Sequence, residues 1–301
     1  MILIIVYTSL LEKLAKSIEG NFKIIPIISR KFPDGEKYIR ISNDVKKEDV
    51  IFLHSMALNP DESIIEYLLI IDALRSMECN TITAIIPYIP YLRQDKRFNI
   101  GEPLSAKIIA NLISLGIDRL ITIDPHLHRF KDLSELFKIP CINLSAIPLL
   151  VEYYKKNFDI SNSIIIGPDI ESERLVKIAA EILSLPYFIF EKQRISDKEV
   201  IIEGKIKELL FKGKNAIIID DIVSTGGTIS KITSFLLNNE VNKIDVLVSH
   251  CLLSEENYKK LKEIGLNELI STDTIPNSFS KVSIAPLISK IIGELNDKRS
   301  N

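Results

Sequence analysis

Cysteine, excess charge of one sign and long apolar runs are all scarce in this sequence, and each scarcity excludes a class of protein. Only Cys79, Cys141 and Cys251 occur, with no CxxC pair. That excludes a disulfide framework and a cysteine zinc cluster, and it suits a reducing cytoplasm. Lys+Arg 38 against Asp+Glu 40 leaves a net charge of -2. With no basic excess to neutralise a phosphate backbone, a nucleic-acid partner is not expected. No stretch approaches the ~18 uninterrupted apolar residues of a membrane span. The start, MILIIVYTSL, lacks a basic segment and has too short an apolar run for a signal sequence, so the expected location is cytoplasmic. What is present is 301 residues, 46% hydrophobic and 26% charged. This is the composition of a folded chain, with length for two domains at roughly 150 residues each.

Short apolar runs alternate with longer amphipathic ones. The expected strands are 2–7, 83–88, 120–124, 163–167, 187–190, 216–220 and 244–249, rich in isoleucine and valine and apolar throughout, as strands covered on both faces should be. Asn59-Pro60-Asp61-Glu62 predicts an N-cap, a first-turn proline and a capping-box glutamate. The helix that follows is apolar on most of its surface and is expected to be well buried. A second helix, 104–115, should stop at Gly116, and a third, 173–185, before Pro186. Strands alternating with helices predict an α/β fold of mostly parallel sheets flanked by helices. The alternation runs twice, with the proline-bearing stretch 139–148 between. Domains of 1–145 and 146–285 are expected, the closing helix 286–301 joining the first.

Reactive side chains fall after strand after strand, where open parallel sheets bind ligands: Arg93-Gln94-Asp95, Asp124-Pro125-His126, Pro168-Asp169, Lys192-Gln193-Arg194 and Asp220-Asp221. The sharpest segment is AIIIDDIVSTGGT, Ala216 to Thr228. A buried strand delivers two carboxylates, then Ser224-Thr225-Gly226-Gly227-Thr228 opens a helix. Glycines let backbone N–H groups turn toward an anion, and a helix N-terminus adds partial positive charge. Lacking a GK[ST] ending, the loop is not a Walker A motif.

AIIIDDIVSTGGT resembles the phosphoribosyl-diphosphate motif of the type I phosphoribosyltransferase fold. Five further segments resemble, in order, those of ribose-phosphate pyrophosphokinases: FPDGEKYIRI (32–41), YLRQDKRFNIGEPLSAK (91–107), IDPH (123–126), EKQR (191–194) and STDTIPN (271–277). Tandem phosphoribosyltransferase-like domains are that family's architecture. The resemblance implies transfer of the β,γ-diphosphoryl group of ATP to the anomeric hydroxyl of ribose 5-phosphate. Lys192 and Arg194 would be catalytic. Phe32, Asp34 and Glu36, with Arg93, Gln94 and Asp95, would bind ATP. Asp220 and Asp221 and the loop Ser224, Thr225, Gly226, Gly227 and Thr228 would bind ribose 5-phosphate. Mg²⁺ would be held through His126, Asp169, Asp220 and Asp221. In the family the FPDGE loop serves a neighbouring subunit, which implies a homodimer or larger assembly with a shared ATP site. Two features depart from the usual pattern: Ile170-Glu171-Ser172 replaces glycines after Asp169, and LHRFKDLSELF follows His126 as in archaeal members. A nucleobase phosphoribosyltransferase would account for 216–228 alone, and an inactive regulatory homologue would be expected to have lost Lys192, Arg194 or the acids.

Overall fold

Isoleucine-rich runs become strands and the amphipathic runs between them become helices in the structure, a computed structural model. It describes residues 3–97, 99–127, 129–190 and 210–300, the last three by backbone alone. The chain divides into two units, Met1–Ser145 with Thr274–Pro276 and Ser283–Asn301, and Ala146–Asp273 with Asn277–Val282.

Unit 1 is built on a seven-stranded sheet. Its strands are β1 (Leu3–Tyr7), β2 (Lys23–Lys31), β3 (Lys37–Ile41), β4 (Asp49–Leu53), β5 (Thr81–Ile85), β6 (Arg119–Ile123) and β7 (Cys141–Leu144). The order is β3-β2-β1-β4-β5-β6-β7, parallel throughout except for the antiparallel β2–β3 hairpin. Its helices are α1 (Glu12–Ser17), α2 (Pro60–Ser76), α3 (Ser105–Ile113) and the closing helix, α8 (Ala285–Ser300). Every residue of β4 is buried, whereas β2, near the edge, alternates. The core joins Val6, Ile25, Phe52, Tyr67, Ile82 and Ile109 from strands and helices alike.

In unit 2, β8 (Ser163–Gly167), β9 (Tyr187–Ile189), β10 (Asn215–Val223), β11 (Lys243–Cys251), β12 (Glu268–Thr272) and β13 (Ser280–Val282) pair in the order β13-β12-β11-β10-β8-β9. All are parallel. Helices α4 (Ile147–Asn157), α5 (Glu173–Leu183), α6 (Gly227–Asn238) and α7 (Glu255–Ile264) connect them. After β8 the chain adds β9 on one side, then returns to lay β10 on the other. The carboxyl ends of β8 and β10 therefore flank a topological switch point, the place where open α/β sheets bind ligands.

Several local expectations change. Asn59 stands at the N-cap of α2 with Pro60 following, but its carbonyl, not its side chain, is engaged, accepting from Ser63 N–H at 2.9 Å and Ser63 Oγ at 2.7 Å. Helix α2 is not buried all round, since Ile65 and Leu69 are exposed. The strand expected at 83–88 is β5, which ends before Pro87. The proline-bearing stretch 139–148 holds β7 and the start of α4. Gly116 has φ 70 and lies so close to α2 that a Cβ would meet Ile71 Cγ2 at 2.6 Å. Ser184, in the left-handed region at φ 55, ends α5. Among the described residues no helix is long and apolar enough to cross a membrane.

Candidate functional site

Strand β10 pairs with β11 up to Val223 but with β8 only over Asn215–Ile218. Its last residues project past the end of β8, and Asp220 and Asp221 lie on that projection. Asp169 stands just beyond β8. Burial first, then the negative charges of Asp221 and Asp169, push the Asp220 carboxyl well above the usual carboxylate range. Asp221 N–H donates to Asp220 Oδ1 at 3.0 Å. Asp169 is fixed by the segment that departs from the family pattern. Its Oδ1 accepts from Glu171 N–H at 3.0 Å and its main-chain oxygen accepts from Ser172 Oγ at 2.7 Å. The structure thus brings Asp169, Asp220 and Asp221 together.

Three crowded carboxylates repel one another unless a proton or cation intervenes, and an all-oxygen donor set fits Mg²⁺. Among the described residues no three His, Cys or acidic side chains close into a cage.

Beside the acids, Ser224–Thr228 carries the chain into α6. Gly226 holds φ 83 at its N-cap, and a Cβ there would lie 3.1 Å from Leu261 Cδ1 and 3.2 Å from Leu253 Cδ1. Among the described residues no side chain caps α6 and its first turn holds no acid. Thr225, Gly227 and Thr228 are exposed. The first-turn amide donors, which have no intrahelical acceptor, and the positive end of the helix dipole make this terminus suited to a phosphate. Gly226→Ala is expected to lower stability by about 1–3 kcal/mol through left-handed strain. Gly227→Ala, whose Cβ would meet only Thr225 Oγ1 at 3.8 Å, should melt like the wild type. Thermal melts of the two variants check this; equal melting temperatures would remove the conformational requirement at Gly226.

In unit 1, the hairpin register closes at Lys31↔Lys37 and leaves Phe32–Glu36 as its tip. Phe32 N–H donates to Glu36 O at 2.8 Å, Gly35 N–H to Phe32 O at 2.9 Å and Glu36 N–H to Asp34 Oδ1 at 3.2 Å. Gly35 takes φ 95, which the turn needs and glycine permits. The tip is internally bonded, and it exposes Phe32, Asp34 and Glu36.

Arg93 is exposed. Gln94 Oε1 accepts from Ser105 Oγ at 2.5 Å, tying the loop to the start of α3. Asp95 is buried, and its Oδ1 accepts from Arg129 Nε at 3.2 Å. Arg129 is the residue that sequence reading missed; it stands far from Asp95 in the chain, and no local motif marks it. Asp124, buried at the end of β6, has φ 35, a strained conformation of the kind that clusters at functional sites. His126 is half-buried. Lys192 and Arg194 lie outside the described residues, as does His128.

A model of the N-terminal domain of ribose phosphate pyrophosphokinase matches residues 3–115, and one of the phosphoribosyl transferase domain matches residues 132–282. The chain is 35% identical to the ribose-phosphate pyrophosphokinase of Methanothermobacter thermautotrophicus, over 93% of this chain and 96% of that one. To the ribose-phosphate pyrophosphokinase of Pyrococcus furiosus it is 37% identical, over 92% of this chain and 98% of the relative. Its fold superposes on the crystal structure of phosphoribosylpyrophosphate synthetase from Mycobacterium smegmatis with a TM-score of 0.83. That match is at 27% identity, covering 98% of this chain and 99% of the other. Both halves of the chain match their domain models and the relatives match over nearly full length, so the chain belongs to the ribose-phosphate pyrophosphokinase family.

Proposed function

We propose that this protein transfers the β,γ-diphosphoryl group of ATP to the C1 hydroxyl of ribose 5-phosphate, giving 5-phosphoribosyl 1-diphosphate and AMP. The carrying observation is the pairing, at one switch point, of crowded acids on β10 with the uncapped N-terminus of α6. Such an arrangement offers acceptors for sugar hydroxyls beside donors for a phosphate. Asp220 and Asp221 would hold the ribose hydroxyls, and Ser224, Thr225, Gly226, Gly227 and Thr228 the 5-phosphate. One Mg²⁺ at the ribose would be held through Asp220 and Asp221 and an ATP-bound Mg²⁺ through His126, with Asp169 a further metal-ligating acid, and the ions would supply charge neutralisation at the phosphate oxygens. Phe32 would stack on the base, with Asp34, Glu36, Arg93, Gln94 and Asp95 completing nucleotide recognition. Lys192 and Arg194 would stabilise the oxygens that gain charge as the diphosphoryl group moves. We place the enzyme in the cytoplasm, as a homodimer or larger assembly.

Incubation with ATP, Mg²⁺ and ribose 5-phosphate should release AMP, not ADP. Consumption of phosphoribosyl diphosphate in the presence of a nucleobase, with no AMP formed, would point to a phosphoribosyltransferase. Inactivity in both assays would point to a regulatory homologue. Asparagine at both Asp220 and Asp221 should weaken ribose 5-phosphate binding and shift the Mg²⁺ titration of activity. The same change removes carboxylates that repel each other in burial. The melting temperature of the metal-free protein should therefore not fall. Unchanged Mg²⁺ curves would count against a metal role for this pair.

A further inference from the structure

The Arg30 guanidinium lies across two rings of the β2–β3 hairpin. The register pairs Arg30 with Tyr38. The guanidinium carbon lies 4.2 Å from the Tyr38 ring centroid and 5.0 Å from that of Phe32. The rings meet edge to face, their centroids 5.8 Å apart and their planes at 83°. Side chains alternate across a strand, so Lys31 and Lys37 leave the hairpin on its other side. There Lys37 Nζ lies 2.7 Å from Glu62 and 3.2 Å from Glu66 on α2, and Lys31 Nζ lies 2.7 Å from Glu62. One side of the hairpin is fastened to a helix; the other carries an aromatic pair bridged by a cation, with Phe32 still 40% exposed.

We propose that Arg30 is a positioning residue for the nucleotide base, holding the Phe32 ring so that it offers a prepared face to a purine. The inference rests on the reading of Phe32 as the residue that stacks on the base. A ring at a loop tip loses rotamer freedom when a ligand stacks on it, and that loss weakens binding. A guanidinium over the ring and an edge contact from Tyr38 restrict it beforehand. Arginine suits the role better than lysine, because a planar fork can lie across two rings while an ammonium meets them as a point.

A double-mutant cycle tests this through the Kd for Mg·ATP, measured by calorimetry without ribose 5-phosphate, with kcat followed alongside. Arg30→Ala should raise Kd about three-fold, the scale of an exposed cation–π contact, with a smaller effect on kcat at saturating ATP. Phe32→Ala should raise it further, and the double variant should bind no worse than Phe32→Ala alone. Arg30→Lys should recover part of the loss. If the effects of Arg30→Ala and Phe32→Ala multiply, Arg30 meets the nucleotide directly and the positioning role is wrong. A normal Kd for Arg30→Ala beside a weakened Phe32→Ala overturns this inference alone. If Phe32→Ala itself binds normally, the stacking reading falls and takes the inference with it.

Discussion

Alanine at Lys192 or at Arg194 is expected to lower kcat by about 10²-fold or more, with a much smaller change in ribose 5-phosphate affinity. Preorganised cations aimed at a transferring phosphoryl group act chiefly in the transition state, so their loss appears in turnover before it appears in binding. The two residues are two positions apart, so in an extended segment they project from the same side. One brings a point charge and the other a planar fork suited to phosphate oxygens. They follow β9 in the chain, outside the described residues. Initial rates of AMP release, set beside calorimetric titration of ribose 5-phosphate, separate the two effects. Near-normal kcat in either variant would make that side chain ordinary surface charge.

A second large effect is expected when two inactive proteins are mixed. If the Phe32 tip serves the active site of a neighbouring subunit, Phe32→Ala/Glu36→Ala and Lys192→Ala/Arg194→Ala lie on opposite sides of each shared site. A hybrid dimer then carries one intact site and one doubly damaged site. With free exchange about half the dimers are hybrids, so activity should return to roughly a quarter of the wild type per total site. Subunit exchange is verified separately, by mass spectrometry of differently tagged chains. Exchange without recovered activity would mean that the tip serves its own chain.

The parts of the fold legible in the sequence are those buried on both faces. SIIIG and the start of NAIIIDDIV are continuous apolar runs, and they became β8 and β10, paired with each other inside a parallel sheet. Less legible were strands whose surroundings break that rule. KIIPIISRK alternates and contains Pro26; it forms β2, which pairs antiparallel with the edge strand β3. FPDGE shows as a turn, but the flanking strands that make it a hairpin tip do not. CINL sits among prolines, and β13 spans only Ser280–Val282. The β10 acids were readable as strand-end residues, yet the strand continues through them to Val223, held by β11 alone. Tertiary pairing decides such an extension, not local pattern. Asp95 shows the limit on the site side. Its motif is readable in the chain, but its bond to Arg129 depends on a loop brought near by folding, which no local pattern marks.

Residues of α8 belong to unit 1 although unit 2 is spelled out between them and the first 145 residues. Ile288, Ile291 and Ile292 are buried, and Ser289 Oγ accepts from Glu19 N–H at 2.9 Å. During synthesis, then, the first-made sheet waits for its last helix while the whole of the second unit is translated. At about 5–20 residues per second, that delay is on the order of ten seconds. Throughout it, Leu3, Val50 and Ile51, which line one cavity with Ile292 and Leu295 of α8, lack that helix. Unit 2 has every one of its strands before unit 1 is complete, so the order of folding need not follow the order of the sequence.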